Sequence, residues 1–212
     1  MTLAATVDPG SVPKRGRKFD QVLDGARLIF HRDGFEGASV DDIAREAGVS
    51  KATLYSYFPD KRLLFLEVAK AECARQADEA HDLLGPDTPV EAALTMAATR
   101  MVDFFLSEFG ISVFRICVAE SDRFPELGRE FYASGPALAR ARMVEYFSHA
   151  EARGELRIAD KALAADQFAE LCKADLFPRL VFGIGGKIGP ADRSRVIRGA
   201  VEMFLARYGV RD

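Results

Sequence analysis

VDDIAREAGVSKATLYSYF, running from Val40 to Phe58, is the stretch from which the rest of the chain is read. Ser39 stands just before it and can cap the exposed amides of a short helix reaching Ala47. Asp41 and Asp42 fall in the first turn of that helix, where its dipole favours them. Gly48-Val49 ends it, and Ser50 can cap a second short helix ending near Phe58. Two short helices that cross need small residues at the crossing, a tight-turn residue between them and an apolar inner face. Ala44 and Ala47 supply the first, Gly48 the second, and Val49, Leu54 and Phe58 the third. Ile43 joins Phe30 and Phe35 in a small core.

The other positions of the second helix, Lys51, Ala52, Thr53, Tyr55, Ser56 and Tyr57, are expected to face outward. They offer one cation, two hydroxyls and two phenols, a surface for a polar, anionic partner. A bundle this small does not commit two helices to enzymatic chemistry. It can hold one helix out from the surface, sized for a major groove about 12 Å wide. Lys61, opening the next helix, is expected to join helix-terminal amides in a phosphate clamp.

Outward from this segment the chain reads at helical period. Phe19, Val22, Leu23, Ala26 and Phe30 form the stripe of a first amphipathic helix, with Gly34 as its stop. A long helix is expected from Lys61 to about Leu84, and the loop Gly85-Pro86-Asp87-Thr88-Pro89 follows. Further helices are expected at roughly 90–108, 111–121, 126–133, 136–153, 160–182 and 190–208. Breaks are expected at Gly110, Phe124-Pro125, Gly135-Pro136, Gly154 and Gly183 to Pro190. The expected fold is all-α, with an N-terminal three-helix helix-turn-helix domain and a larger C-terminal bundle, about nine to ten helices in total. Residues 1–16 are expected to form a flexible basic arm, 17–62 the helix-turn-helix domain and 63–212 the ligand-binding and dimerisation domain, the helix to about residue 84 linking the two.

Composition agrees with a globular chain. Of 212 residues, 49% are apolar and 29% charged, which excludes a disordered or collagen-like polymer. No apolar run approaches the length of a bilayer span, and the N-terminus does not read as a secretory signal. Three scattered cysteines, Cys73, Cys117 and Cys172, support neither a disulfide framework nor a zinc cage, so a reducing cytoplasm is expected. The net charge of −3 would by itself argue against nucleic acid. Residues 14–70, however, carry 11 Lys/Arg against 9 Asp/Glu, a net of +2. What matters is where those cations sit.

At these residues the chain resembles the TetR family of transcriptional repressors. The resemblance rests on Phe30, Gly34, Phe35, Ser39, Ile43-Ala44, Ala47-Gly48-Val49-Ser50, Thr53-Leu54-Tyr55, Tyr57-Phe58, Lys61 and Leu64, covering about residues 17–66. One departure is Arg62, where relatives often carry an acid. Arg115 to Leu127, with Ala119-Glu120 and Arg123-Phe124-Pro125-Glu126-Leu127, is similar to the AefR-like subgroup. The resemblance implies a homodimer whose two recognition helices enter successive major grooves of a near-palindromic double-stranded operator. It also implies a C-terminal site for a small-molecule effector whose binding moves the fourth helix and releases DNA. DNA contacts are expected from Ser39, Ser50, Lys51, Ala52, Thr53, Tyr55, Ser56, Tyr57 and Lys61. Arg15 and Arg17, in the run Lys14-Arg15-Gly16-Arg17-Lys18, read either as an arm on the phosphates or minor groove, or as a solvated tail.

The last two predicted helices carry broad apolar stripes: Leu163, Phe168, Leu171, Cys172, Leu176 and Leu180, then Val196, Ile197, Ala200, Val201, Phe204 and Leu205. Such stripes fit either burial in the chain's own core or a four-helix seam between subunits, and the resemblance favours the seam. The middle helices are rich in rings and methionine: Met101, Phe104, Phe105, Phe109, Phe114, Met143, Tyr146 and Phe147, with Cys117 among them and Phe177 beyond. Each could be ordinary core; together they suit a cavity for an apolar or aromatic effector. Arg115, Glu120, His149 or Asp175 could fix a polar end of that effector.

Other signals carry less. Gly183-Ile184-Gly185-Gly186-Lys187 lacks the P-loop pattern, with Val181 in the first glycine position and Ile188 in the Ser/Thr position. His31, His81 and His149 have no second ligand at metal spacing, so no metal and no cofactor is expected. Glu120 and Asp122 lack a nucleophile to serve. The main reading is a DNA-binding regulator rather than an enzyme, with activation instead of repression left open. The alternative is an all-α enzyme or protein-interaction module that uses the helix-turn-helix for other contacts.

Overall fold

The computed structural model describes residues 16–83, 87–184 and 186–210; among these the regular structure is helical apart from one isolated bridge, with turns and loops between the helices. The chain divides into two compact units, one ending at Leu64 and the other starting at Phe65, so the division falls inside a helix.

The first unit contains α1 (Arg17–Gly37), α2 (Val40–Glu46), α3 (Lys51–Tyr57) and the first turn of α4 (Lys61–Leu83). The expected stop at Gly34 is a sharp break inside α1, where φ is 69°. Ser39 accepts the Asp42 amide at 3.0 Å and Ser50 accepts the Thr53 amide at 3.0 Å, so both expected caps form. Gly48 turns the chain at φ 63°, a left-handed backbone that a side chain would strain. Phe19, Val22, Ala26, Phe30, Ile43, Ala44, Leu54 and Phe58 form the core. Gly25 lets α1 approach the α2–α3 turn: a Cβ there would stand 2.7 Å from the Ala47 nitrogen.

The second unit holds the rest of α4 with α5 (Val90–Phe105), α6 (Glu108–Glu120), α7 (Pro125–Ser134), α8 (Pro136–Ala152), α9 (Lys161–Leu171), α10 (Leu176–Val181) and α11 (Pro190–Tyr208). The break between α5 and α6 comes at Leu106-Ser107, where Ser107 caps α6, and not at Gly110, which lies inside α6. The stretch expected as one helix over 160–182 is two. Asp175 takes φ 64° between α9 and α10, and Pro178 has no N–H with which to continue the ladder.

The core of this unit is built from α5, α8, α9 and α11. Phe204 stacks on Phe147 at 5.1 Å and meets Phe168 edge-on at 5.2 Å. Most residues expected at the seam lie in the core of this single chain. Phe168, Cys172, Leu176, Val196, Ala200, Val201 and Phe204 are buried within the chain's own core, and Leu171, Ile197 and Leu205 pack half-buried against it. A helix stripe records burial but not whose core buries it. Leu156 and Gly209 form the single antiparallel bridge, which ties the end of α11 to the turn after α8.

Candidate functional site

Among the described residues the candidate sites are the α3 face of the first unit and a cavity in the second. On α3, Leu54 points into the core, leaving Lys51, Ala52, Tyr55 and Ser56 exposed. The Tyr55 ring is 49% exposed, with a large apolar body and a phenol presented to solvent. Thr53 is half-buried, its Oγ1 2.9 Å from the Ser50 Oγ, and the Ser56 hydroxyl donates to the Thr53 carbonyl at 2.6 Å. These contacts fix the hydroxyls in place on the outer face. Tyr57 departs from the expected outward set: it is half-buried, its ring edge-on to Phe19 at 5.8 Å.

The charges around α3 are arranged in pairs. Lys51 bonds Asp41 across the two helices, Arg45 bonds Asp42, and Arg32 grips Asp33 through Nε at 2.8 Å and Nη2 at 2.7 Å. The Ser39 hydroxyl donates to Asp42 at 2.5 Å and, with Arg45 beside it, holds that carboxyl below its ordinary range. Arg62 pairs with Asp60, whose Oδ1 also accepts the Arg62 amide at 2.8 Å.

Lys61 differs most from expectation. Its ammonium donates to the carbonyls of Phe35 at 2.8 Å and Ala38 at 3.1 Å, and lies 4.4 Å from the Phe35 ring centroid. Carbonyls left orphaned where α1 ends are good acceptors for a cation, so Lys61 braces the turn into α2. Arg17 is exposed in the first turn of α1, while Arg15 and the rest of the expected arm before Gly16 lie outside the described residues.

In the second unit a cavity of about 750 Å³ opens among α4 to α10. Met101, Phe104, Phe105, Phe114, Cys117, Met143, Tyr146, Phe147 and Phe177 all line it, as the sequence suggested. Phe177 anchors the aromatic wall, edge-on to Phe114 at 5.1 Å and to Phe105 at 5.9 Å. Phe109 does not line it; its ring packs on Phe65 at 5.0 Å. Of the four proposed polar anchors only His149 reaches the cavity. Arg115 donates to the carbonyls of Leu180 and Val181, Glu120 is buried with Arg123 at 3.9 Å, and Asp175 pairs with Arg195 and Arg179.

Sequence reasoning missed the residues that make the space. Ala97, Ala139, Ala165 and Ala169 are short where neighbouring turns carry rings. It also missed the charged lining: Arg140 bonds Asp166 at 3.2 Å between α8 and α9, and Lys173 bonds Glu170 at 2.6 Å while standing 5.1 Å from the Phe105 ring. Burial pushes the cavity thiols up, Cys73 to about 12 and Cys117 to about 11, so both stay protonated and weakly nucleophilic near neutrality. Among the described residues no group of His, Cys, Asp and Glu is placed to hold a metal, and no helix is long and apolar enough to cross a membrane.

Residues 22–68 match the model for bacterial regulatory proteins of the tetR family, and residues 92–210 match that for the C-terminal domain of AefR-like transcriptional repressors. The HTH-type transcriptional repressor AcnR of Corynebacterium efficiens is 36% identical over 73 residues, 34% of this chain and 38% of AcnR. The repressor BdcR of Escherichia coli is 33% identical over 85 residues, 39% of this chain and 43% of BdcR. The match thus spans about two fifths of the length of these curated relatives. Whole-chain likeness comes from solved structures. A TetR-family regulator from Mesorhizobium loti has a TM-score of 0.76 at 29% identity, covering 92% of this chain and 98% of that one. The flavonoid-responsive regulator FrrA has a TM-score of 0.64 at 32% identity, covering 93% and 100%. One signature over the head and another over most of the second unit, with folds that match along the chain, place this protein in the TetR family of DNA-binding transcriptional regulators, with an AefR-like C-terminal domain.

Proposed function

We propose that the protein is a cytoplasmic repressor that binds a near-palindromic operator as a homodimer and is released when a small apolar or aromatic effector fills its cavity. The observation that carries this reading is the aromatic-walled space of about 750 Å³ on the same chain as an exposed, polar α3. That volume is in the range of small-molecule sites. Half-sites one helical turn apart require recognition helices about 34–36 Å apart, so a small change of spacing costs one set of contacts. An effector needs to favour the non-binding geometry by about 1–3 kcal/mol to act as a switch.

The aromatic lining supports a flat, ring-bearing effector, and the likeness to a regulator described as flavonoid-responsive makes a flavonoid the first compound to try. With most of the stripes of α9 and α11 turned inward, exposed apolar side chains open to a partner subunit include Leu163 on α9, Met203 on α11, 61% exposed, and Phe182 and Ile184, 76% and 72% exposed. The segment before Gly16, with Lys14 and Arg15, is assigned to the phosphates flanking each half-site.

The experiment is a release assay. A flavonoid added to the complex of this protein with duplex DNA from its own promoter region should lower fluorescence polarisation. Ala169→Trp, which fills the cavity from α9, should bind the same DNA and ignore the compound. Equal release from both proteins would place the effector elsewhere.

A further inference from the structure

Lys51 is the one cation of α3, and its ammonium is held by Asp41 in the first turn of α2. Both side chains are more than half exposed, at 53% and 63%, so the pair lies on the open face beside Tyr55 and is not buried in the core. Lys51 also occupies the first turn of its helix, where the dipole disfavours a cation, so a nearby carboxylate compensates it. The surrounding cations are engaged in the same way: Arg32 by Asp33, Arg45 by Asp42, Arg62 by Asp60 and Lys61 by backbone carbonyls. The cations of α3 and of the residues around it, Lys51, Arg32, Arg45 and Arg62, are therefore already matched by the head's own acids. A duplex must take Lys51 from Asp41 before a phosphate or a base edge can use it.

We propose that Asp41 is an affinity-setting brake, an internal competitor with DNA for the Lys51 ammonium. This rests on the reading of α3 as the DNA-contacting helix. An exposed ion pair is worth up to about 1 kcal/mol, so the brake amounts to as much as about fivefold in affinity per head. Because the pair is broken whenever Lys51 meets DNA, the brake acts on any duplex, whatever its sequence. Neutralising Asp41 leaves Lys51 unclaimed and lets it displace a counterion at full effect, which steepens the salt dependence.

The test uses the full chain and a fluorescent random-sequence duplex, titrated between about 50 and 200 mM salt. Asp41→Asn should bind tighter than wild type at the low end by about two- to fivefold for each head engaged, with the advantage shrinking as salt rises. Asp41→Ser, also suited to a first helical turn, should give the same gain and guards against a folding defect peculiar to one variant. In a Lys51→Ala background the same substitutions should give none. No gain from either variant, with wild type binding normally, overturns the inference alone. An equal gain in the Lys51→Ala background also overturns it, because Asp41 would then act by repelling phosphate directly. A wild-type chain that binds no duplex overturns the inference together with the reading beneath it.

Discussion

The two units bury similar kinds of residue but expose different information. In the first, the face proposed to bind DNA is the outer side of a helix seven residues long, which begins at the Ser50 cap just after the left-handed turn at Gly48. In the second, the cavity is concave and exists because five lining alanines, Ala93 with Ala97, Ala139, Ala165 and Ala169, fail to fill the space that Phe104, Phe105, Phe114 and Phe177 surround. A protruding helix is specified locally, by caps and a turn. A void is specified jointly by elements far apart in the chain. Changes in the head should therefore separate cleanly into folding and binding effects, while changes around the cavity should mix them.

The largest expected effect concerns the boundary between core and seam. Phe204→Ala should cost about 3–5 kcal/mol in denaturant unfolding, because the ring is enclosed by Phe147 and Phe168 within one chain. A loss under about 1 kcal/mol would mark it as a partner contact instead. Next comes Lys61→Met, which leaves two carbonyls without their charged donor. It should lower the stability of the head by about 1.5–3 kcal/mol and leave the salt slope of DNA binding unchanged. A slope reduced by about one per head would restore the phosphate role. Gly25→Ala should cost about 1–3 kcal/mol through its clash with the Ala47 backbone, checked by thermal unfolding. Tyr55→Ala should be the mildest: about 1 kcal/mol of DNA affinity, with Tm unmoved because half the ring already faces water.

The cavity thiols sharpen the same contrast. Cys73 and Cys117 titrate above the ordinary thiol value, so their protonated form is retained on folding. Their contribution to stability is complete below the unfolded pKa near 8.5 and is lost as pH rises towards 11–12. At pH 8 iodoacetamide should alkylate the native chain far more slowly than the same chain unfolded in urea. Equal rates would mean the thiols are not held in an apolar wall.

Much of the head was legible in the sequence because its determinants are short-range. Ser39, Ser50 and Gly48 occupy the positions their chemistry predicts. What escaped notice depends on α1 packing across the motif: the inward ring of Tyr57, the brace at Lys61 and the close approach at Gly25. In the second unit, rings and methionines marked eight of the lining residues, with Cys117 the ninth of ten expected, and Phe109 failed because its partner on α4, Phe65, is distant in sequence. Apolar stripes on α9 and α11 were visible, but a stripe cannot say whether its core lies within one subunit or between two. The α9–α10 break had a readable signal in Pro178, inside a span otherwise periodic as one helix.

The central claim is that the α3 face meets nucleic acid, and the most direct measurement is the salt dependence of DNA binding by wild type and Tyr55→Ala, side by side. The account predicts wild-type affinity for a promoter-derived duplex that falls linearly in log–log form with salt, and a parallel, weaker line for Tyr55→Ala. Coincident lines for the two proteins, or wild-type binding indifferent to salt, would contradict it.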